Sequence, residues 1–197
     1  MIKEIYIIQE NHLSTKRKYL ERMNNNKVQC MNEARKFEKN FWDGDRKFGY
    51  GGYKYIEGYW RLAAKKIIKI FKLNNSSSIL DVGCGKGYLL FELKKILPEI
   101  RIVGIDVSKY AIKYSKEEIK KNLFVHDARK KLPFKNKEFD LVFSLGTLHN
   151  FNLYELEITI KEIIRISKKR YIMIESYRNN AELFNLQCWA LTAESFL

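Results

Sequence analysis

The chain lacks the marks of several protein classes. It has three cysteines, Cys30, Cys84 and Cys188, an odd number at scattered positions. That pattern argues against a disulfide framework and offers no metal-ligand spacing, so no metal is expected. It predicts reduced thiols and a cytoplasmic setting. No run approaches the ~20 apolar residues of a membrane-spanning helix. The apolar stretch in MIKEIYIIQEN is too short for a secretory leader. There is no internal repeat. Nor is there a compact basic tract or arginine–aromatic stripe of the kind that marks many nucleic-acid binders.

What is there fits one domain of 197 residues, long enough to bury a core. Net charge is +14, from 37 basic and 23 acidic residues. Such a balance suits a polyanionic partner such as RNA. However, 27 of the basic residues are lysines, spread along the polar sides of helices among abundant Ile and Asn. That favours compositional bias over a nucleic-acid surface.

The most informative stretch is Ile79 to Leu90, ILDVGCGKGYLL. An apolar run carries one acid, Asp81. Glycines follow at alternate positions, Gly83, Gly85 and Gly87, and then an apolar helical face of Leu89, Leu90, Leu93, Ile96 and Leu97. This predicts a strand, a tight turn and a helix. Glycines permit positive φ and a close approach of backbone to ligand. The dinucleotide spacing G-x-G-x-x-G fails, because Tyr88 stands where its third glycine would fall. The P-loop fails as well, because Gly87 rather than Ser or Thr follows Lys86.

Around this turn the chain alternates in character. A helix is expected in residues 13–23, broken at Asn24 to Asn26, and Val28, Met31, Ala34, Phe37 and Phe41 predict another. The stretch FWDGDRKFGYGGYKYIEGY, Phe41 to Tyr59, is an aromatic, glycine-rich loop suited to closing over a ligand. Its aromatics, with Trp42, suit a sulfonium cation by cation–π attraction. Trp60, Ala63, Ala64, Ile67, Ile68 and Phe71 predict a core-facing helix. Strands are expected at Arg101 to Asp106, Leu123 to His126, Phe139 to Leu145 and Tyr171 to Glu175. Helices are expected at about 109–121, capped by Ser108, at about 153–166, and beyond Asn179. Alternating strands and helices predict a doubly wound, mostly parallel α/β sheet, Rossmann-like, preceded by N-terminal helices.

In such a sheet ligands bind at the carboxyl ends of the strands. The polar residues there are Asp81, Asp106, Asp127, and His149 with Asn150. Asp106, about 20 residues after the glycine turn, suits both hydroxyls of a ribose. Asp127 suits an exocyclic amine of adenine, with the Ala128 N–H on the ring.

With the acid-x-G-x-G-x-G turn and these two acids, Ser78 to Ser176 resembles the class I S-adenosylmethionine (SAM) methyltransferases. DGDRKFGYGGYKY is also similar to the aromatic segment that leads into a group of small bacterial methyltransferases, which extends the likeness back to about Tyr19. The resemblance implies SAM as cofactor and S-adenosylhomocysteine (SAH) as product. It implies cofactor contacts from Tyr50, Asp81, Gly83, Cys84, Gly85, Gly87, Asp106, Val107, Asp127, Ala128 and Leu145. It implies a cap in residues 1–59 and a SAM-binding domain in 60–197. Some members of that group resemble enzymes of surface-polysaccharide pathways, so the expected acceptor is a hydroxyl or amine of a small molecule. His149 is the expected base, since its ordinary pKa of ~6.5 lies near working pH. Glu175 and Tyr177 are expected to bind or deprotonate the acceptor. His126 is expected to be structural, and His12 has no assigned role. Family members usually add two antiparallel strands after the fifth. Asn179 to Leu197 reads as a helix instead, so the expectation is a truncated C-terminal edge, or one covered by a second protomer, a partner or the N-terminal helices. RNA methylation and a SAM- or SAH-binding subunit without catalysis are the alternatives. Against RNA, SLGT follows strand four rather than the Asn/Asp-Pro-Pro-aromatic loop of exocyclic-amine nucleic-acid methylases.

Overall fold

The computed structural model describes Ile5, Ile7, Ile8 and residues 19–191. Short helices α1 (Tyr19–Asn24), α2 (Lys27–Ala34) and α3 (Lys39–Asp43) lead through the aromatic segment to α4 (Arg61–Phe71). Next come β1 (Ser78–Val82), α5 (Tyr88–Ile96), β2 (Arg101–Asp106), α6 (Lys109–Lys113), α7 (Glu117–Lys120) and β3 (Leu123–Val125). After β3 come β4 (Phe139–Leu145), a 3-10 turn (Leu148–Asn150), α8 (Leu153–Ile166), β5 (Ser167–Met173) and α9 (Asn180–Gln187).

The five strands form one parallel sheet in the order β3-β2-β1-β4-β5. The chain winds outward from β1 to β3, returns to β4 beside β1, and winds outward again. The reversal between β1 and β4 opens a crevice at their carboxyl ends. Alternating side chains feed two cores, one on each face. Ile79, Ile102 and Phe143 pack with Ile67, Leu90 and Leu93 on one side. Leu80, Val103 and Val142 pack with Ile163 and Ile166 on the other. Burial on both faces explains why these strands read as continuous apolar runs. Asn152 and Glu155 cap α8 reciprocally, which satisfies two N–H groups at its start.

Three expectations shift, and a fourth lies partly outside the described residues. The helix foreseen over 28–41 is interrupted at Phe37, whose φ of 52° no helix holds. The helix foreseen over 109–121 is two. The Ser115 hydroxyl turns back to the Ile112 carbonyl (2.8 Å), and Lys116 is extended (φ −65°, ψ 132°). β5 begins at Ser167 rather than Tyr171, directly after α8. Its first half escaped notice because Lys168, Lys169 and Arg170 are polar and exposed, as suits an edge strand that must resist pairing. Of the helix expected in 13–23, Tyr19–Asn24 is present and the rest lies outside the described residues, as does His12. On the β5 side the Tyr171 hydroxyl donates to the Ile5 carbonyl (2.6 Å), and Ile7 and Ile8 are buried in the adjoining core.

Candidate active site

The turn after β1 is pinned to its neighbour. The N–H groups of Gly83 and Cys84 both donate to the Ile105 carbonyl (2.8 and 3.0 Å). Gly85 N–H donates to Asp106 Oδ2 and Ser108 N–H to Asp106 Oδ1, each at 2.8 Å. The acid at the end of β2 therefore shapes the turn that it faces. Gly85 has φ +56°, and a Cβ there would stand 2.7 Å from the Trp42 ring. Gly87 serves packing instead: a Cβ would meet Ile119 and Leu123 at 2.8 Å, so its absence lets α5 approach the sheet.

A cavity of about 1140 Å³ opens at this end of the sheet. Of the residues expected to hold cofactor, all line it except Gly87. Of the three expected catalytic side chains, His149 and Glu175 line it and Tyr177 does not; Tyr177 is exposed. The lining also includes Arg129, which sequence reasoning passed over, and His126, which was expected to be structural. Two buried atoms in this wall have no hydrogen-bond partner among the described residues, His126 Nε2 and Asn150 Oδ1. The Asn150 amide nitrogen donates to the Thr147 carbonyl (3.0 Å), which orients the oxygen.

The three acids differ in their surroundings. Asp81 is 5% exposed, and no hydrogen bond reaches its carboxyl among the described residues. Burial, and then the nearby Asp106, push its pKa well above the carboxylate range. Burial also raises Asp106, against the pull of N–H groups from Ser108, Gly85 and Val107. Asp127 is lowered, chiefly because the Arg129 guanidinium grips it in bidentate fashion (2.9 Å to each oxygen). Arg129 reaches Glu155 as well (3.2 Å). Burial pushes the Cys84 thiol well up, so it stays neutral.

His149 is buried on the 3-10 turn, and its Nδ1 accepts from the Glu175 N–H (3.2 Å). That bond assigns the tautomer: the neutral ring carries its proton on Nε2. Acting as a base at Nε2 would require the proton on Nδ1, facing another N–H. The ring thus stands in the cavity wall, held through Nδ1 by the backbone after β5.

The aromatic segment roofs the cavity. Trp42 stacks on Tyr50 (centroids 5.3 Å apart, 9°) and Tyr53 stacks on Tyr88 (5.2 Å, 18°). The Trp42 indole N–H is within 3.0 Å of both the Ser108 hydroxyl and the Phe37 carbonyl. Behind the turn, the Lys86 ammonium binds both oxygens of Asp43.

Comparison with known proteins agrees with this geometry. Residues 73–196 match a family model described as a methyltransferase domain. A demethylmenaquinone methyltransferase of Thermotoga maritima is 24% identical over 127 residues, which are 64% of this chain and 53% of that protein. A tRNA U34 carboxymethyltransferase of Nautilia profundicola is 34% identical over 103 residues, 49% of this chain and 33% of that protein. The chain thus spans about half the length of the first and a third of the second. A crystal structure from Methanococcus maripaludis, described as an S-adenosyl-L-methionine-dependent methyltransferase, shares the fold. Its TM-score is 0.51 at 20% identity, over 82% of this chain and 66% of that one.

Proposed function

We propose, on the premise that this chain belongs to the methyltransferase domain family, that it transfers a methyl group from SAM to a hydroxyl or amine of a small molecule. The observation that carries the reading is the wall of the cavity: a glycine turn tied to Asp106, with the buried carboxyl of Asp81 beside it, which no hydrogen bond reaches among the described residues. Such a wall fits a ligand with a ribose and a positive end. The orphaned His126 and Asn150 atoms also fit a polar ligand, since buried polar groups normally find partners.

When bound, SAM supplies a methyl group already activated on a sulfonium. The chain then has to position more than react. Asp106 keeps lone pairs beyond those given to Gly85 and Ser108 and uses them on the ribose hydroxyls. Asp81 meets the positive end. The Ala128 N–H and the remaining lone pair of Asp127 Oδ2 take the adenine edge. His149 donates a hydrogen bond that holds the acceptor in line, and Glu175 fixes the ring through its backbone.

Support for a small acceptor comes from the aromatic wall: Trp42, Tyr50 and Tyr53 pack together and line the cavity beside the glycine turn. The two relatives above act on a quinone and on a tRNA, so kinship by itself does not choose the acceptor. Three cysteines at scattered positions fit a reducing compartment such as the cytoplasm.

Calorimetric titration with SAM, with NAD as control, tests the reading. Saturable one-site binding of SAM and none of NAD is the expected result. A folded sample that binds no SAM would overturn it. SAM binding without turnover across hydroxyl and amine acceptors would instead favour a binding subunit.

A further inference from the structure

Lys86 stands inside the glycine turn, between Gly85 and Gly87, and its side chain is 4% exposed. Its ammonium donates to both oxygens of Asp43 (2.7 and 2.9 Å) and to the Tyr53 carbonyl (2.7 Å). Asp43 ends α3, in the aromatic cap. It also accepts from the Tyr53 N–H and the Tyr110 hydroxyl, each at 2.9 Å. Neither Lys86 nor Asp43 lines the cavity.

A buried ammonium on a turn that receives a cation is an electrostatic problem. Like charges repel far more strongly through protein than through water. Here the neutralising carboxylate comes from the cap, not from the sheet. Docking of the cap is therefore what cancels the charge behind the turn. We infer that Asp43 and Lys86 are specificity-determining positioning residues, whose pairing cancels the charge behind the turn, so that the sulfonium of SAM meets no penalty there relative to the uncharged thioether of SAH. The inference rests on the SAM reading above and adds the charge balance that lets the turn receive a cation.

The test is calorimetry of SAM and SAH, at low salt, on the full chain and three variants. Asp43→Asn leaves the ammonium uncancelled and should lower SAM affinity roughly tenfold more than SAH affinity. Lys86→Met leaves the carboxylate, still held by Tyr53 and Tyr110, and should shift the SAM/SAH ratio the opposite way. The double variant should return the ratio close to that of the parent. If the pair only braces the fold, both ligands weaken together and the ratio stays fixed in all variants; that result overturns the inference. Should Asp43→Asn fail to fold, the sign of the Lys86→Met shift decides. A parent that binds neither ligand would overturn the SAM reading itself, and this inference with it. A parent that binds both, with an invariant ratio across variants, would overturn the charge balance alone.

Discussion

Asp81→Asn should stabilise the empty protein and weaken the SAM complex. The reasoning starts from a carboxyl that is 5% exposed and that no hydrogen bond reaches among the described residues. Burial, reinforced by Asp106, raises its pKa well above the ordinary value of 3.8. For a raised acid the sign follows directly. The stability tied to this group is fully present below pH 3.8 and is lost as pH rises through the raised value. Asn is isosteric with the protonated acid and does not titrate. Parent and variant should therefore melt together near pH 4 and separate as the carboxyl ionises. Desolvating a polar group without a partner costs about 1–3 kcal/mol. For a chain of this size each kcal/mol moves Tm by about 2–4 °C. The variant should thus melt several degrees above the parent at high pH. Losing a hydrogen bond to a charged group costs about 1.5–3 kcal/mol, so SAM affinity should fall by about 10- to 100-fold. Binding to the parent should also release protons, because a cation beside Asp81 favours its ionised form. Scanning calorimetry across pH and titrations in buffers of different ionisation enthalpy measure all three effects. A variant that melts below the parent at neutral pH, or that binds SAM equally well, would refute the reasoning.

Three further substitutions probe the rest of the site. Asp106→Ala strips the acceptor from two buried N–H groups, so it should lower Tm as well as SAM affinity; an unchanged Tm in a calorimetric scan would show that the turn holds its shape without it. Gly85→Ala places a methyl against Trp42 at a positive φ, and should loosen the cap and reduce SAM affinity, read by titration and by faster proteolysis of the 41–59 segment. His149→Gln retains a donor and should keep measurable turnover, with no ascending limb near pH ~6.5 in the kcat profile of the parent. A parent profile with that limb would restore the histidine as a base.

Much of the fold was legible because its signals are local. β1, the glycine turn and α5 are consecutive, and β4 is a largely apolar seven-residue strand whose ends were read correctly. The carboxyl-end acids followed from the topology. What escaped depends on contacts remote in sequence. Lys86 and Asp43 lie 43 positions apart, and Trp42 and Ser108 lie 66 apart. Nothing local to either partner announces such pairs. The His149 ring is held by a backbone N–H beyond the end of another strand, a contact that residue type alone does not announce. The early start of β5 was hidden by charges that belong to its edge position.

The grip of Arg129 on Asp127 bears on which nucleosides the cavity tolerates. A carboxylate already held by a guanidinium has little left for an amine, and the adenine N6 position should contribute weakly to affinity. Cofactor analogues carrying a bulky group at that nitrogen would then lose little, while analogues altered at the ribose would lose much. Selectivity for the sugar over the base would make the chain a receptive host for tagged cofactors, through which its own acceptor can be captured and identified.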